Sequence, residues 1–241
     1  MKNKNKYIKN NRNQLEKSLE ALRYVKRKKH NALIHQIHKK HKISRKTLFY
    51  IKEYGPETNV SKTIIKESIK ILIFASIISS LGGIALENIK TLFVSIVPFI
   101  ILLPVLNDMI GDFGTITSSR LATIFHEGKI KNNWLTPETK KLFLQIIIIA
   151  TFGAFFSSLI AIIISLFTDY KINFLVGIKI ITITLLDVLF LTILLFLAAV
   201  FAGLYVYRKS EDPNNFLIPI TTSIADFGNM IVLALLVYLF F

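Results

Sequence analysis

Past residue 70 the chain is built from long apolar runs, and their length limits the fold more than any other feature. Five can be marked off: about Lys70 to Leu86 (KILIFASIISSLGGIAL), about Thr91 into the stretch Leu102 to Ile130 (LLPVLNDMIGDFGTITSSRLATIFHEGKI), and about Leu142 to Phe167, Ile172 to Tyr207 and Phe216 to Phe241. Each holds about 17 or more mostly apolar residues, enough at ~1.5 Å per residue to cross ~30 Å of hydrocarbon. The expected fold is an all-α membrane protein with five transmembrane helices.

Charge is segregated along the chain in the same way. The sequence is 52% hydrophobic yet carries a net charge of +15, and about two-thirds of its 30 Lys and Arg precede Ile71. Residues 1–61 therefore read as a basic cytoplasmic helical segment and linker, and 62–241 as a five-helix transmembrane domain. Connecting stretches set the orientation. The loop expected around Arg120 to Lys141 carries Arg120, Lys129, Lys131, Lys140 and Lys141, and Arg208 and Lys209 precede the fifth run, whereas ENIK (Glu87 to Lys90) and TDYK (Thr168 to Lys171) hold one lysine each. The positive-inside rule then places the N-terminus in the cytoplasm and the C-terminus outside. No short apolar core and cleavage site follow the basic start MKNKNKYIKNNRN, so no cleaved secretory signal is expected. With no cysteine, disulfides and thiolate metal sites are excluded.

Four acids lie inside the apolar runs: Asp108, Asp112, Asp187 and Asp226. An ionised carboxylate at the centre of a membrane helix costs roughly 2.5–3.5 kcal/mol even on lenient insertion scales, so such residues point to a bundle interior, a bound cation or a proton pathway. Asp108 and Asp112, four apart, share a face if the helix is continuous there, and two like charges so placed call for a proton or cation between them. Pro98 and Pro104 are expected to break that helix. Structural hydrogen bonding is the competing role for each acid, and for Asp187 the two roles are evenly matched. Lys179 sits near enough to the outer interface to snorkel. Around the acids, Gly111, Gly114, Gly228 and the hydroxyls of GTITSS and ITTSIA, among them Thr115 and Thr222, allow close helix approach and expose oxygens. Carboxylate, carbonyl and hydroxyl oxygens without sulfur suit Mg²⁺, Ca²⁺ or Mn²⁺, and sparse carboxylates fit a partly hydrated Mg²⁺ best. PVLNDMIGDFG and PITTSIADFG form a short echo in runs two and five, each opening with proline and ending Asp-Phe-Gly.

The second run, with its proline, its Gly-Asp-Phe-Gly core, its Thr/Ser stretch and Arg-Leu-Ala-Thr (Arg120 to Thr123), resembles the second-helix signature of the MgtE-type magnesium transporter domain, shared with related animal solute carriers. EDPNNFLIPITTSIADFGNMIV (Glu211 to Val232) is similar to the family's final-helix signature. The resemblance covers about Lys62 to Phe241. It implies a principal cation ligand at Asp226, with Asp108, Asp112 and Thr115 lining the same path, and a homodimer with its pore on the two-fold axis. Asp112 stands where the family usually has Asn, an extra acid expected to raise cation affinity or alter selectivity. The first 60 residues are too short and too basic to match the family's acidic cytosolic sensor domains, so gating by a sensor is not carried over to them.

Within the basic segment, Leu15, Leu19, Leu22, Leu33, Ile34 and Ile37 recur at helical spacing among cations, and YGPETNVS (Tyr54 to Ser61) ends the pattern. A basic amphipathic helix beside a membrane is expected to lie on anionic lipid headgroups. Its histidines, surrounded by lysines, favour metal sensing less, and no base-reading module argues for nucleic acid. His126 reads as a solvated loop residue. With no phosphate loop, no cysteine and histidines confined to the cytoplasmic side, no enzymatic constellation is expected. The candidate ligands are thus Asp226, Asp112, Asp108, Thr115, Thr222 and Asp187, the substrate a divalent cation with Mg²⁺ first. A proton- or sodium-coupled transporter of another substrate and a membrane-insertion or ribosome-docking protein are the alternatives.

Overall fold

The computed structural model describes residues 2–25, 27–53, 55, 60–130, 134–168, 172–209 and 211–241, and all regular structure among them is helical. Eight helices follow in order: α1 (Lys2–Tyr24), α2 (Arg27–His41), α3 (Arg45–Glu53), α4 (Val60–Ser95), α5 (Val97–His126), α6 (Pro137–Leu166), α7 (Phe174–Arg208) and α8 (Pro213–Phe240). The last four are each long and apolar enough to cross a membrane, while α4 carries a shorter apolar stretch, Ser68–Ile84. The chain is a multi-pass membrane protein.

Helix starts follow local chemistry. Thr136, Asn173 and Asp212 accept from backbone N–H groups of the first turns of α6, α7 and α8, and proline occupies the first position of α6 and α8, where no N–H is needed. At the end of α5, Gly128 takes φ +68 and its N–H reaches the Phe125 carbonyl at 2.9 Å, a left-handed termination that glycine adopts without strain.

Three expectations are corrected here. Glu87 to Lys90 is not a loop: α4 continues through it to Ser95, and the helix is interrupted at Ile96, with Pro98 in the first turn of α5, where its missing N–H is not needed. Pro104 does not break α5, which runs unbroken past it, so Asp108 and Asp112 do share one helical face. Arg120 lies within α5 rather than in a connecting loop. Most of the stretch 54–61, and Lys131 and Lys171, fall outside the described residues.

The contacts fix the helix directions. Asn107 meets Asp226 while Gly114 faces Thr221, so α5 and α8 run antiparallel. Ser79 meets Asp226 while Gly82 faces Phe227 and Met230, so α4 and α8 run parallel. The core lies among α5, α7 and α8, with Phe99, Leu102, Leu106 and Phe125 of α5 against Ile180, Ile183 and Leu191 of α7 and Leu233 and Val237 of α8. On α6 the buried face is Ala150, Ala154, Ser158, Ala161 and Ser165, small side chains that allow close backbone approach. Its outer face, with Phe152, Phe156, Ile160 and Ile163, is exposed apolar surface suited to lipid.

Among the described residues, most apolar side chains of the basic segment pack against one another. Leu22, Ile34, Ile37, Leu48 and Phe49 form a small core of their own among α1, α2 and α3. That unit docks on the end of the bundle: Lys46 donates to Thr123 at 3.3 Å, Asn214 to the Tyr50 hydroxyl at 3.4 Å, and the Phe49 ring lies 4.4 Å from that of His126. His126 is accordingly not a solvated loop residue but 2% exposed at the last position of α5, 3.9 Å from Asp212. Its expected solvation is lost because α3 covers it.

Candidate functional site

α5 supplies most of one cavity. Pro104, Asn107, Asp108, Gly111, Asp112 and Thr115 recur at spacings of three and four and therefore occupy one face, and α8 adds Thr222 and Asp226, one turn apart. Together they line a space of about 330 Å³. At ~30 Å³ per water, that admits an ion with its first hydration shell. Asp108 and Asp112 are exposed on it, and among the described residues no basic side chain lines it.

Helix spacing creates the cavity. A Cβ on Gly114 would lie 2.9 Å from the Thr221 Cβ, so α5 and α8 touch there, and the Ser118 and Thr221 hydroxyls meet at 3.2 Å. One turn away, nothing lies within 4 Å of a Cβ on Gly111, and the space opens. Pro104 and Pro219, inside α5 and α8, each withhold an N–H from the helical ladder. In α8 the Thr222 hydroxyl donates to the Ile218 carbonyl at 2.9 Å, which turns its oxygen lone pairs toward other partners.

Asp226 is where three helices converge. Its Oδ1 accepts from Asn107 Nδ2 at 2.6 Å and its Oδ2 from the Ser79 hydroxyl of α4 at 3.1 Å. Each oxygen keeps acceptor capacity. α4 reaches this point because a Cβ on Gly82 would sit 3.2 Å from the Phe227 Cα, a close helix contact. Among the described residues, no three His, Cys, Asp or Glu side chains stand close enough to hold a metal ion by themselves. The donor set therefore fits an ion that keeps water, with carboxylates acting partly through it.

Five of the six sequence-derived candidates thus line one cavity: Asp226, Asp112, Asp108, Thr115 and Thr222. Asp187 does not. It is fully buried on α7, with Oδ2 2.9 Å from the Asn229 carboxamide. Sequence reasoning missed Ser79, Asn107 and Asn229. The two asparagines had a signal, since an amide in an apolar run is costly unless bonded, but Ser79 sits among the small residues that such helices use freely. The echo between α5 and α8 is not symmetric in packing: Gly114 opposes Thr221 of α8, whereas Gly228 opposes Leu191 of α7. A larger space of about 690 Å³ between α5 and α6 mixes Arg120 and Lys141 with Glu127 and Glu138 and so lacks the single sign of charge that a cation site needs.

Residues 103–236, more than half of the chain and including every cavity-lining residue, match the family model MgtE, described as a divalent cation transporter. No curated protein and no solved structure matches the chain. An acid-lined cavity within a bundle of membrane-length helices, inside the matched region, is consistent with that match: the chain belongs to the MgtE divalent cation transporter family.

Proposed function

We propose that the cavity between α5 and α8 is a station on the path of a divalent cation, Mg²⁺ first. Asp226 would be the principal ligand, Asp108 and Asp112 a second station, and Thr115 and Thr222 oxygen donors to the ion or its water. The observation that carries this is the meeting of three carboxylates on one space of about 330 Å³ that no basic side chain among the described residues lines. Opposite charge on an ion relieves the repulsion between Asp108 and Asp112, and Ser79 and Asn107 hold Asp226 with oxygens to spare.

The protein would act as a homodimer with the cavity at its axis. Asp108 and Asp112 are exposed on a spanning helix, and left against lipid each would cost roughly 2.5–3.5 kcal/mol. A second copy laid over this face removes that cost. We take the spans as five, with α4 the first, the N-terminus cytoplasmic and the C-terminus outside. The parallel packing of α4 on α8 and the antiparallel packing of α5 on α8 agree with that scheme. Residues 1–61 would form a separate cytoplasmic unit. With Leu22, Ile34, Ile37, Leu48 and Phe49 engaged in a core of their own, the exposed lysines, such as Lys29, Lys39 and Lys40, would be what meets anionic headgroups.

Mg²⁺ influx into proteoliposomes, followed with an enclosed Mg²⁺ dye for the native chain and Asp226→Ala, tests the reading. Influx that is lost in the variant supports it. Equal influx in both would remove Asp226 from the path, and none in either would overturn the transport reading.

A further inference from the structure

We propose that Asp187 is a proton-binding site tied to the cation station through Asn229 and Asn107, so that a divalent cation entering at Asp226 displaces one proton from Asp187. The proposal rests on the reading of the cavity as a cation station. Four polar side chains form a line through the bundle: Asp187 of α7, Asn229 of α8, Asn107 of α5 and Asp226 of α8. Successive separations are 2.9, 3.2 and 2.6 Å.

The two amides make the line directional, because each offers N–H groups from one end and a carbonyl oxygen from the other. In one arrangement Asn107 Nδ2 donates to Asp226, Asn229 Nδ2 donates to Asn107 Oδ1, and Asn229 Oδ1 faces Asp187 Oδ2 at 2.9 Å. Two oxygens at that separation need a proton between them, and Asp187 alone can supply it. In the other arrangement Asn229 turns, and its Nδ2 donates to an ionised Asp187 at 2.9 Å. Its oxygen then faces Asn107 Oδ1 at 3.2 Å and the Asn107 backbone N–H at 3.3 Å; when the Asn107 amide turns with it, that amide directs its own oxygen at Asp226. Two oxygens facing one another at the cavity wall are satisfied by a cation. Proton at one end and cation at the other are therefore alternative ways to complete the same chain.

Among the described residues, no charged side chain is bonded to Asp187. From α5, Asp108 and Asp112 face the cavity, and α6 has no ionisable residue beyond Lys141. From α8, Asp226 lies two amides away, and on α7 itself Lys179 is bound to the Phe240 carbonyl at 2.7 Å. Among the described residues Asp187 Oδ1 has no hydrogen-bond partner. Among those residues Asn229 is thus its one polar link, and the proton released would pass to solvent as the cation binds. By linkage, apparent cation affinity then rises with pH by up to about tenfold per unit over the range in which Asp187 titrates.

Titrating Mg²⁺ into the detergent-solubilised full chain in buffers of different protonation enthalpy counts the protons released per ion. The native chain should release about one, and Asp187→Asn close to none, since an amide at 187 can pair with Asn229 in either orientation without titrating. Asn229→Leu, which severs the line while Asp187 is retained, should also release none. Binding without proton release by the native chain, or unchanged release by Asp187→Asn, overturns the linkage. Mg²⁺ entry in the influx assay together with binding that releases no proton sinks the linkage alone, whereas no Mg²⁺ entry sinks the cation station beneath it.

Discussion

Asn107 of α5 donates from Nδ2 to Asp226 Oδ1 of α8 at 2.6 Å, so the carboxylate we propose as the principal cation ligand is held by a neutral amide from the neighbouring helix. A basic partner would have cancelled its charge. An amide holds its orientation and leaves the charge in place.

Replacing Asn107 by Leu leaves that oxygen without its donor. Hydrogen bonds to charged groups contribute ~1.5–3 kcal/mol, and the variant should lose stability in that range. A thermal denaturation series on the solubilised protein reads it, with Asn107→Ser, which can still donate, falling between the two.

Gly111 and Gly114 should respond oppositely to alanine. A methyl at 114 meets Thr221 at 2.9 Å and must push α5 from α8, at about 1–3 kcal/mol. A methyl at 111 meets nothing within 4 Å, so Gly111→Ala should fold as well as the native chain or better, by up to ~1 kcal/mol of helix propensity. Equal melting temperatures for the two variants would contradict the packing described.

Asp112→Asn removes one charge from the cavity while preserving shape. A divalent ion ~5 Å from a carboxylate in a water-like medium is held by about 1.7 kcal/mol. Half-saturation of Mg²⁺ influx should therefore move up roughly tenfold, and further where the surroundings are drier. An unshifted concentration dependence would place Asp112 off the path.

Phe49, 1% exposed, anchors α3 against His126. Truncation to Ala costs on the order of 3–5 kcal/mol at a buried aromatic site. Limited proteolysis at the lysines of residues 1–53 should accelerate strongly in Phe49→Ala while the membrane helices stay protected.

The Tyr50 hydroxyl is pushed above its ordinary value of 10.0, first by burial and then by the negative charge of Asp212. Its ionised form is thus disfavoured in the docked state. The contribution of this group to docking is fully present below pH 10 and is lost as pH rises through the elevated value. Tyr50→Phe keeps the ring without the titration, so its docking, followed by proteolysis between pH 9 and 11, should fall less steeply than that of the native chain.

Much of this protein follows from local chemistry that can be read along the chain. Apolar length dictates that α5 to α8 are membrane-length helices, because backbone groups in hydrocarbon must be satisfied within their own segment. The spacing of Asp108 and Asp112 puts them on one face, and prolines after Thr136 and Asp212 mark helix starts. Periodicity specifies which residues share a face, but not which face of another helix lies opposite. Only the packed bundle brings Ser79 and Asn107 onto Asp226, and it does so through contacts between backbones at Gly82 and Gly114 that are more than a hundred residues from their partners. The same holds for Asp187, which sits away from the cavity because α7 turns it toward Asn229, and for His126, buried because α3 docks over it. A helix can be inferred from its own residues, since its hydrogen bonds are local. The partner of a polar side chain cannot, since it is chosen by how closely two distant backbones approach.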